Sequence, residues 1–340
     1  MRRLLRFLLG LGLLTLVLVS AGGILVWRDY QRFVQTPLSS LNTALELELP
    51  KGASFLRSLG VLREAGIREG HDLYWRFLAR DMGVQSRLKA GEYRLPANLT
   101  PSAVLKQLAE GRVIQRKFTV IEGWNFRELR AALAGLDAVK HTLGDASDAE
   151  IMQKLGREGL SAEGRFLPET YLYTRNTTDI ALLRRAMQAM DQQLAEAWLG
   201  RDPDLPLQTE EEALILASII EKETGQSGER AEIAGVFVRR LRIGMRLQTD
   251  PTVIYGVGER FDGNLTRAHL QADTPWNTYT RAGLPPTPIA MPGRAALMAA
   301  VHPAQGKSLY FVARGDGSHV FSDTLSEHNR AVRQYQLRQR

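Results

Sequence analysis

The stretch TEEEALILASIIEKET, residues 209–224, predicts the central element of the fold. Thr209 and Glu212 have the spacing of a capping box, which begins a helix, and acidic residues in a first turn suit the positive end of the helix dipole. The residues that follow are apolar on nearly every face until Gly225. Such a helix is expected at the centre of a domain, buried on all sides.

Two glutamates near the end of this helix lie on different faces. At about 100° per residue, Glu223 extends the stripe of Leu216, Ile219 and Ile220, whereas Glu221 lies roughly opposite, where solvent or a salt bridge is expected. A carboxyl group on the apolar stripe is desolvated and faces the negative end of the dipole, and both effects raise its pKa. We therefore predict that Glu223 is a general acid for glycosidic bond cleavage. The alternative is a structural ion pair between Glu223 and a nearby arginine.

The residues after this helix predict a sugar-binding surface. A second helix is expected over residues 229–241, with Arg239, Arg240 and Arg242 facing outward. Loops are expected at 245–256, 276–279 and 283–289, where amide, hydroxyl and aromatic groups stand among prolines, as in many ligand sites. The candidates for positioning a glycan are Gln248, Asp250, Tyr255, Asn277 and Tyr279. For Asp250 the alternative is a cap on the turn at Pro251.

The N-terminus predicts a membrane anchor. Residues 7–27 carry no charge and are long enough to cross a bilayer core of roughly 30 Å as a helix. Arg2, Arg3 and Arg6 precede this run, so residues 1–6 are expected in the cytoplasm and the remainder on the far side of a single-pass inner-membrane anchor, in the periplasm. The alternative is a signal peptide cleaved after Ala21. The apolar run resumes at residues 24–27, which argues against cleavage there.

Three further regions follow the anchor in this α+β interpretation. Residues 28–44 show no clear period and are expected to be a linker. A strand, two helices, a second strand and a short helix are expected within residues 45–115, which predicts a compact module. The turn-rich segment at residues 200–206 is expected to divide the remaining chain. The connecting region is then 116–205 and the catalytic region 206–340.

Composition and charge narrow the function. The absence of cysteine excludes disulfide scaffolds, thiolate metal sites and a cysteine nucleophile. The six histidines lack the spacing of metal ligands, so no metal or other cofactor is expected. The 340-residue chain has a net charge of +7, which raises nucleic acid as a partner. However, residues 1–32 and 330–340 each carry +4, which leaves −1 for residues 33–329 and argues against nucleic acid.

Four segments carry a family resemblance. The runs LILASIIEKET (214–224) and LRIGMRLQTDPTVIYG (241–256), with NTY (277–279) and GLPP (283–286), resemble the MltG (YceG-like) endolytic murein transglycosylases. By the same resemblance, the N-terminal module is similar to the LysM-like domain of that family. The pair Glu223-Thr224 also resembles the Glu-Ser or Glu-Thr pair that ends the catalytic helix of other lytic transglycosylases. One departure is Met291 before Pro-Gly, where a polar residue is expected.

The resemblance implies an enzyme that cuts peptidoglycan strands within the chain and so ends their elongation. One glutamate suffices for this reaction, because Glu223 protonates the leaving oxygen and its carboxylate then accepts the proton of the muramic acid C6 hydroxyl, which closes a 1,6-anhydro ring. Peptidoglycan is the implied substrate, with cell-wall synthases in the membrane as further partners. A different class of function, a non-catalytic peptidoglycan-binding scaffold for those synthases, is the competing hypothesis.

Overall fold

A computed structural model describes residues 2–336 and divides the chain into two compact units, Met1–Arg116 and Lys117–Arg340. Both units combine helices with short strands, so the α+β prediction is confirmed. The strands described form three separate sheets of two strands each, and in each sheet a strand pairs with the next strand along the chain.

The first helix, α1 (Arg2–Gln35), extends beyond the predicted span. Within the part of the chain that the structure describes, one helix is long and apolar enough to cross a membrane, over Arg6–Gln35. The prediction that residues 28–44 form a linker is wrong for its first half, because residues 28–35 are helical. Tyr30 is buried, and so are Leu38 and Leu41 just beyond the helix. These apolar side chains pack into the core of the first unit, which orders the segment.

The first unit combines α1 with three further helices and one antiparallel pair of strands. Strand β1 (Leu45–Leu49) is antiparallel to β2 (Gly91–Leu95), with Leu47 opposite Tyr93. The helices are α2 (Phe55–Glu64), α3 (Asp72–Asp81) and α4 (Pro101–Glu110). Trp75 and Tyr93 are fully buried at the centre of this unit. The predicted order of strands and helices is confirmed.

The second unit begins with a small core of its own. Strand β3 (Arg116–Thr119) pairs with β4 (Thr170–Tyr173), and helices α5 (Phe126–Ala134) and α6 (Asp148–Lys154) lie between them in sequence. Helix α7 (Asp179–Leu199) follows. Met190, Leu194 and Ala197 of α7 join the core of the later helices, so the turn at residues 200–206 does not separate two compact units.

The predicted central helix, α8 (Glu210–Glu223), is buried from Ala213 to Ile220. It contacts α7, α9 (Arg230–Arg242), α10 (Asp250–Val257) and α12 (Arg294–Val301). The remaining elements are α11 (Arg267–Gln271), β5 (Tyr310–Ala313), β6 (His319–Ser322) and α13 (Leu325–Tyr335). Thr209 caps α8 as predicted, by accepting from the backbone N–H of Glu212 at 3.2 Å. A capping box predicts that the Glu212 carboxylate accepts from the backbone N–H of Thr209. In the structure it accepts from the N–H of Gln208 instead.

Two predictions about this region are wrong. Residues 250–256, expected in a loop, form most of α10, because Asp250 and Pro251 both suit the first turn of a helix. Arg240, expected to face outward, is 7% exposed. Its guanidinium donates to the carbonyl oxygens of Leu247 at 2.6 Å and Leu309 at 2.7 Å, so backbone acceptors satisfy the buried charge.

Candidate active site

The carboxyl group of Glu223 is the centre of the candidate site. It lies at the last residue of α8, at the end of the buried apolar stripe. Burial, with a smaller contribution from the negative charge of Asp250, raises its pKa to about 7. The hydroxyl of Thr249 donates to Oε1 of Glu223, which favours the ionised form. A carboxylic acid that is partly protonated near neutral pH can donate a proton in catalysis.

Glu221, two residues before Glu223 in α8, has a different set of partners. Its side chain is 5% exposed, so the expectation of solvent contact is wrong and that of a salt bridge is confirmed. Oε2 accepts from the backbone N–H of Gly293 at 2.8 Å, and Oε1 lies 3.4 Å from the guanidinium of Arg230. Burial raises the pKa of Glu221 as well. Because both oxygens have fixed partners, Glu221 joins α8 to neighbouring segments.

Thr278 connects the two loops that surround Glu223. Its Oγ1 accepts from the backbone N–H of Thr249 at 3.1 Å and lies 2.9 Å from the hydroxyl of Thr252. The carbonyl of Thr278 accepts from the N–H of Gln248 at 3.2 Å. This buried network fixes the backbone at Thr249 and so directs its hydroxyl to Glu223. The sequence prediction singled out neither Thr249 nor Thr278, because threonine in a loop gives no signal of burial.

Asp250 and Tyr279 form a pair beside the catalytic candidate. The hydroxyl of Tyr279 donates to Oδ1 of Asp250 at 2.6 Å. Asp250 is exposed at the start of α10, where Thr249 occupies the cap position. Gln248 is also exposed and has a left-handed backbone, with φ of 48°. The structure thus brings Asp250 and Tyr279 together near Glu223, and Gln248 directly precedes Thr249, which bonds to Glu223.

Asn277 and Tyr255 have other partners. Asn277 is fully buried, and its amide donates to the carbonyl of Ala272 at 2.7 Å and accepts from the N–H of Tyr279 at 2.8 Å. The prediction that Asn277 contacts a sugar is therefore replaced by a role in folding the loop. The hydroxyl of Tyr255 donates to Oε2 of Glu163 at 3.1 Å, on a different side of α10 from Asp250.

Glu163 is a second carboxyl group with a raised pKa, which the sequence prediction did not identify. It is 5% exposed, and burial raises its pKa to about 7. Besides Tyr255, the backbone N–H of Phe126 donates to it at 3.0 Å. Glu163 stands among glycine, serine and arginine in the sequence, a composition typical of a surface turn.

Arg240 and His319 lie near Glu223. The buried guanidinium of Arg240 lowers the pKa of Glu223 through its charge, and so does His319. His319 itself is held by Glu229, with 2.7 Å between Nδ1 and Oε2. Among residues 2–336, no group of three or more His, Asp or Glu side chains is arranged to hold a metal ion. The buried carboxyl group of Glu223, with a pKa of about 7, is suited to proton transfer.

Comparison with known proteins gives a consistent result. The model of the YceG-like family matches residues 47–334. An endolytic murein transglycosylase of Bacillus subtilis is 29% identical over 310 residues, which cover 86% of this chain and 85% of that protein. An endolytic murein transglycosylase of Streptococcus pneumoniae is 27% identical, and the match covers 95% of this chain and 64% of the longer relative.

A solved structure extends the similarity to three dimensions. The crystal structure of a YceG-like protein of Listeria monocytogenes superposes with a TM-score of 0.52 at 28% sequence identity. The match covers 84% of this chain and 98% of the Listeria chain.

Proposed function

The chain belongs to the YceG-like family, and we propose that it is an endolytic murein transglycosylase in which Glu223 is the catalytic acid and base. The observation that supports this assignment is a carboxyl group with a pKa of about 7 at the end of the buried helix α8, held by the hydroxyl of Thr249. The substrate is peptidoglycan, and the bond cleaved joins N-acetylmuramic acid to N-acetylglucosamine within a strand.

One carboxyl group performs both proton transfers in this mechanism. Protonated Glu223 donates its proton to the glycosidic oxygen as the bond from that oxygen to C1 of N-acetylmuramic acid breaks. The Glu223 carboxylate then accepts the proton of the C6 hydroxyl, whose oxygen bonds to C1. The product is a 1,6-anhydro end, and Glu223 returns to its protonated form. A hydrolase would instead need a second carboxyl group to activate water or attack the sugar.

The groups around Glu223 have separate tasks in this proposal. Arg240 supplies a buried positive charge that stabilises the carboxylate formed after the first transfer. The exposed side chain of Gln248 and the hydrogen-bonded pair of Asp250 and Tyr279 are the proposed groups that position the glycan. Thr249 orients the carboxyl group of Glu223.

The apolar N-terminal helix supports a proposal for the location of this activity. We propose that α1 crosses the inner membrane once, with Arg2, Arg3 and Arg6 in the cytoplasm and the rest of the chain in the periplasm. The module at residues 45–115 is proposed to be LysM-like and to bind glycan. Cleavage of new strands would end their elongation, and cell-wall synthases in the same membrane are the proposed partners.

Product analysis tests the assignment. The full-length protein in detergent is incubated with purified glycan strands, and anhydro-terminated fragments are measured by mass spectrometry. Glu223→Gln keeps the shape of the side chain but removes the acid, so we expect about a 10²- to 10⁴-fold loss of product. Glu221→Gln is the matched control in the same helix and should lose less than about tenfold, since Glu221 transfers no proton.

Each possible outcome decides between named alternatives. If Glu223→Gln releases fragments at the parent rate, the assignment of Glu223 is wrong. If Glu221→Gln is instead the inactive variant, the other face of α8 carries the reaction. Binding of strands without release of any anhydro end would support the scaffold hypothesis.

A further inference from the structure

A cavity of about 630 Å³ lies beside α10, next to the candidate active site. Tyr255, Ile254 and Pro251 of α10 line it, together with Lys222, the neighbour of Glu223 in α8. Asp250, whose charge acts on Glu223, precedes Tyr255 by five residues, or about 7.5 Å of helix rise. Lys222 and Pro251, which line the cavity, are the sequence neighbours of Glu223 and Asp250.

Glu163 lies at the wall of this cavity and has no part in the mechanism above. Both of its oxygens accept hydrogen bonds, Oε1 from the N–H of Phe126 and Oε2 from the hydroxyl of Tyr255. A protonated Glu163 has one further O–H, and this donor needs an acceptor. A ligand in the cavity can supply that acceptor.

The charges around Glu163 favour its neutral form. Asp148 raises the pKa of Glu163 in addition to burial, whereas the bonds from Phe126 and Tyr255 lower it. The other charged groups that line the cavity are Arg127, Glu128, Lys222 and Glu259. Arg127 is paired with Glu259 at 2.9 Å, and Lys222 donates to the carbonyl of Gly123 at 3.1 Å.

Aromatic side chains complete the wall. The rings of Tyr255 and Trp276 meet edge to face at 5.4 Å, and Nε1 of Trp276 donates to Thr287 at 2.9 Å, which fixes the indole. Phe261 also lines the cavity. Aromatic surface beside a few polar groups is the composition expected of a sugar site.

We propose that this cavity binds an N-acetylated sugar of the glycan, other than the one whose bond is cleaved, and that the carboxylic acid of Glu163 donates to its acetamide carbonyl. Tyr255 is a positioning residue that holds Glu163 in the orientation needed. The inference rests on the proposed function only for the identity of the polymer.

Binding to an inert probe tests the site. The full-length Glu223→Gln protein is titrated with a β-1,4-linked oligomer of N-acetylglucosamine and with the matching oligomer of glucose, which lacks the acetamide. We expect tighter binding of the acetylated oligomer. Adding Glu163→Ala should weaken that binding about tenfold and leave the glucose oligomer unaffected, because one buried hydrogen bond to the acetamide is lost.

Two conservative variants separate recognition from folding. Glu163→Gln retains a neutral donor and should bind within about twofold of the parent, whereas Tyr255→Phe should bind severalfold more weakly at an unchanged melting temperature. Parental affinity should fall above about pH 7, as Glu163 ionises, and the affinity of Glu163→Gln should not. Exposed Glu158→Gln is the control and should behave as the parent does.

The proposal is overturned if the parent binds both oligomers alike, or if Glu163→Ala binds the acetylated oligomer as the parent does. This experiment measures binding of the probe, whereas the lytic assay measures release of anhydro-terminated fragments from peptidoglycan. Failure of the Glu223 assignment therefore leaves this measurement unaffected, and failure of the Glu163 proposal leaves the lytic assay unaffected.

Discussion

Burial produces two carboxyl groups with similar pKa values in the second unit, at Glu223 and Glu163. The helical period predicted that Glu223 lies on the apolar stripe of α8, since residues three and four positions apart share one face of a helix. Glu163 is buried by contacts with Phe126 and Tyr255, which lie 37 and 92 residues away in sequence. No local pattern reports such contacts, so only the tertiary structure reveals this group.

The hydroxyl of Thr249 should set the pH range of activity. Activity of the parent should fall as pH rises through about 7, because Glu223 must be protonated to act as an acid. The bond from Thr249 stabilises the carboxylate, so Thr249→Val should raise the pKa and move this fall upward by up to about one pH unit. The measurement is the rate of anhydro-product release from pH 5 to 9.

Thr249→Ser is the control for this prediction, because serine keeps the hydroxyl. It should restore the parental pH profile. A valine variant that lowers the rate equally at every pH, with no movement of the profile, would contradict the proposed bond and indicate a packing defect instead.

Among the helices, α8 was predicted well because its burial is complete and its cap is local. Its partners were predicted less well. The sequence of α9 ends in several arginines, which suggested one exposed face, but Arg240 turns inward to the carbonyls of Leu247 and Leu309. The acceptors that make this possible belong to later segments. The start of α10 was missed for a similar reason, since Asp250 and Pro251 suit a turn as well as a first helical turn.

Arg240 should be a major source of stability in the second unit. Arg240→Met preserves much of the apolar length but removes the donor to the buried carbonyl of Leu247 and to the partly buried carbonyl of Leu309, so we expect a loss of about 2–4 kcal/mol in the free energy of unfolding. Urea unfolding of the full-length protein in detergent measures it. Arg260→Met changes an exposed arginine and should alter stability by less than about 0.5 kcal/mol. Equal stability of the two variants would exclude the structural role of Arg240.

Asn277 should act through loop structure rather than through contact with substrate. Its amide joins Ala272 to Tyr279, so Asn277→Ala should lower the free energy of unfolding by about 1–3 kcal/mol. In contrast, Gln248→Ala should leave the melting temperature unchanged and raise KM, because Gln248 is exposed and directly precedes Thr249, which contacts Glu223. The two effects are measured by thermal unfolding and by product release. A raised KM for Asn277→Ala at unchanged stability would restore the original prediction of sugar contact.

At the scale of the whole molecule, the helix α1 is also part of the first unit. The ring of Tyr30 packs edge to face on Tyr74 at 5.6 Å and on Phe77 at 5.1 Å. Phe33 packs on Trp75 at 5.3 Å. The helix continues from the apolar segment into this core without a break, so a flexible connection at residues 28–35 is absent from this part of the described chain.

Removal of the Tyr30 ring should therefore destabilise the first unit. Tyr30→Ala is expected to lower its free energy of unfolding by about 3 kcal/mol, as for other buried aromatic residues. Limited proteolysis of the full-length protein in detergent should cut this variant earlier within residues 37–116. Leu25→Ala, at a position 65% exposed, is the control and should resist cleavage as the parent does. If the parent, Tyr30→Ala and Leu25→Ala were cleaved equally, Tyr30 of α1 would not contribute to the stability of the first unit.

The sequence by itself determined the elements whose causes are local: the apolar N-terminal helix, the capped helix α8, and the strands β1 and β2. These depend on periodicity and on neighbours within one or two turns. Tertiary structure decided which groups surround Glu223, where Arg240 and Asn277 point, and that Glu163 is buried beside a cavity. Those features depend on hydrogen bonds and burial between segments distant in sequence, and residue order alone does not encode such geometry in any short pattern.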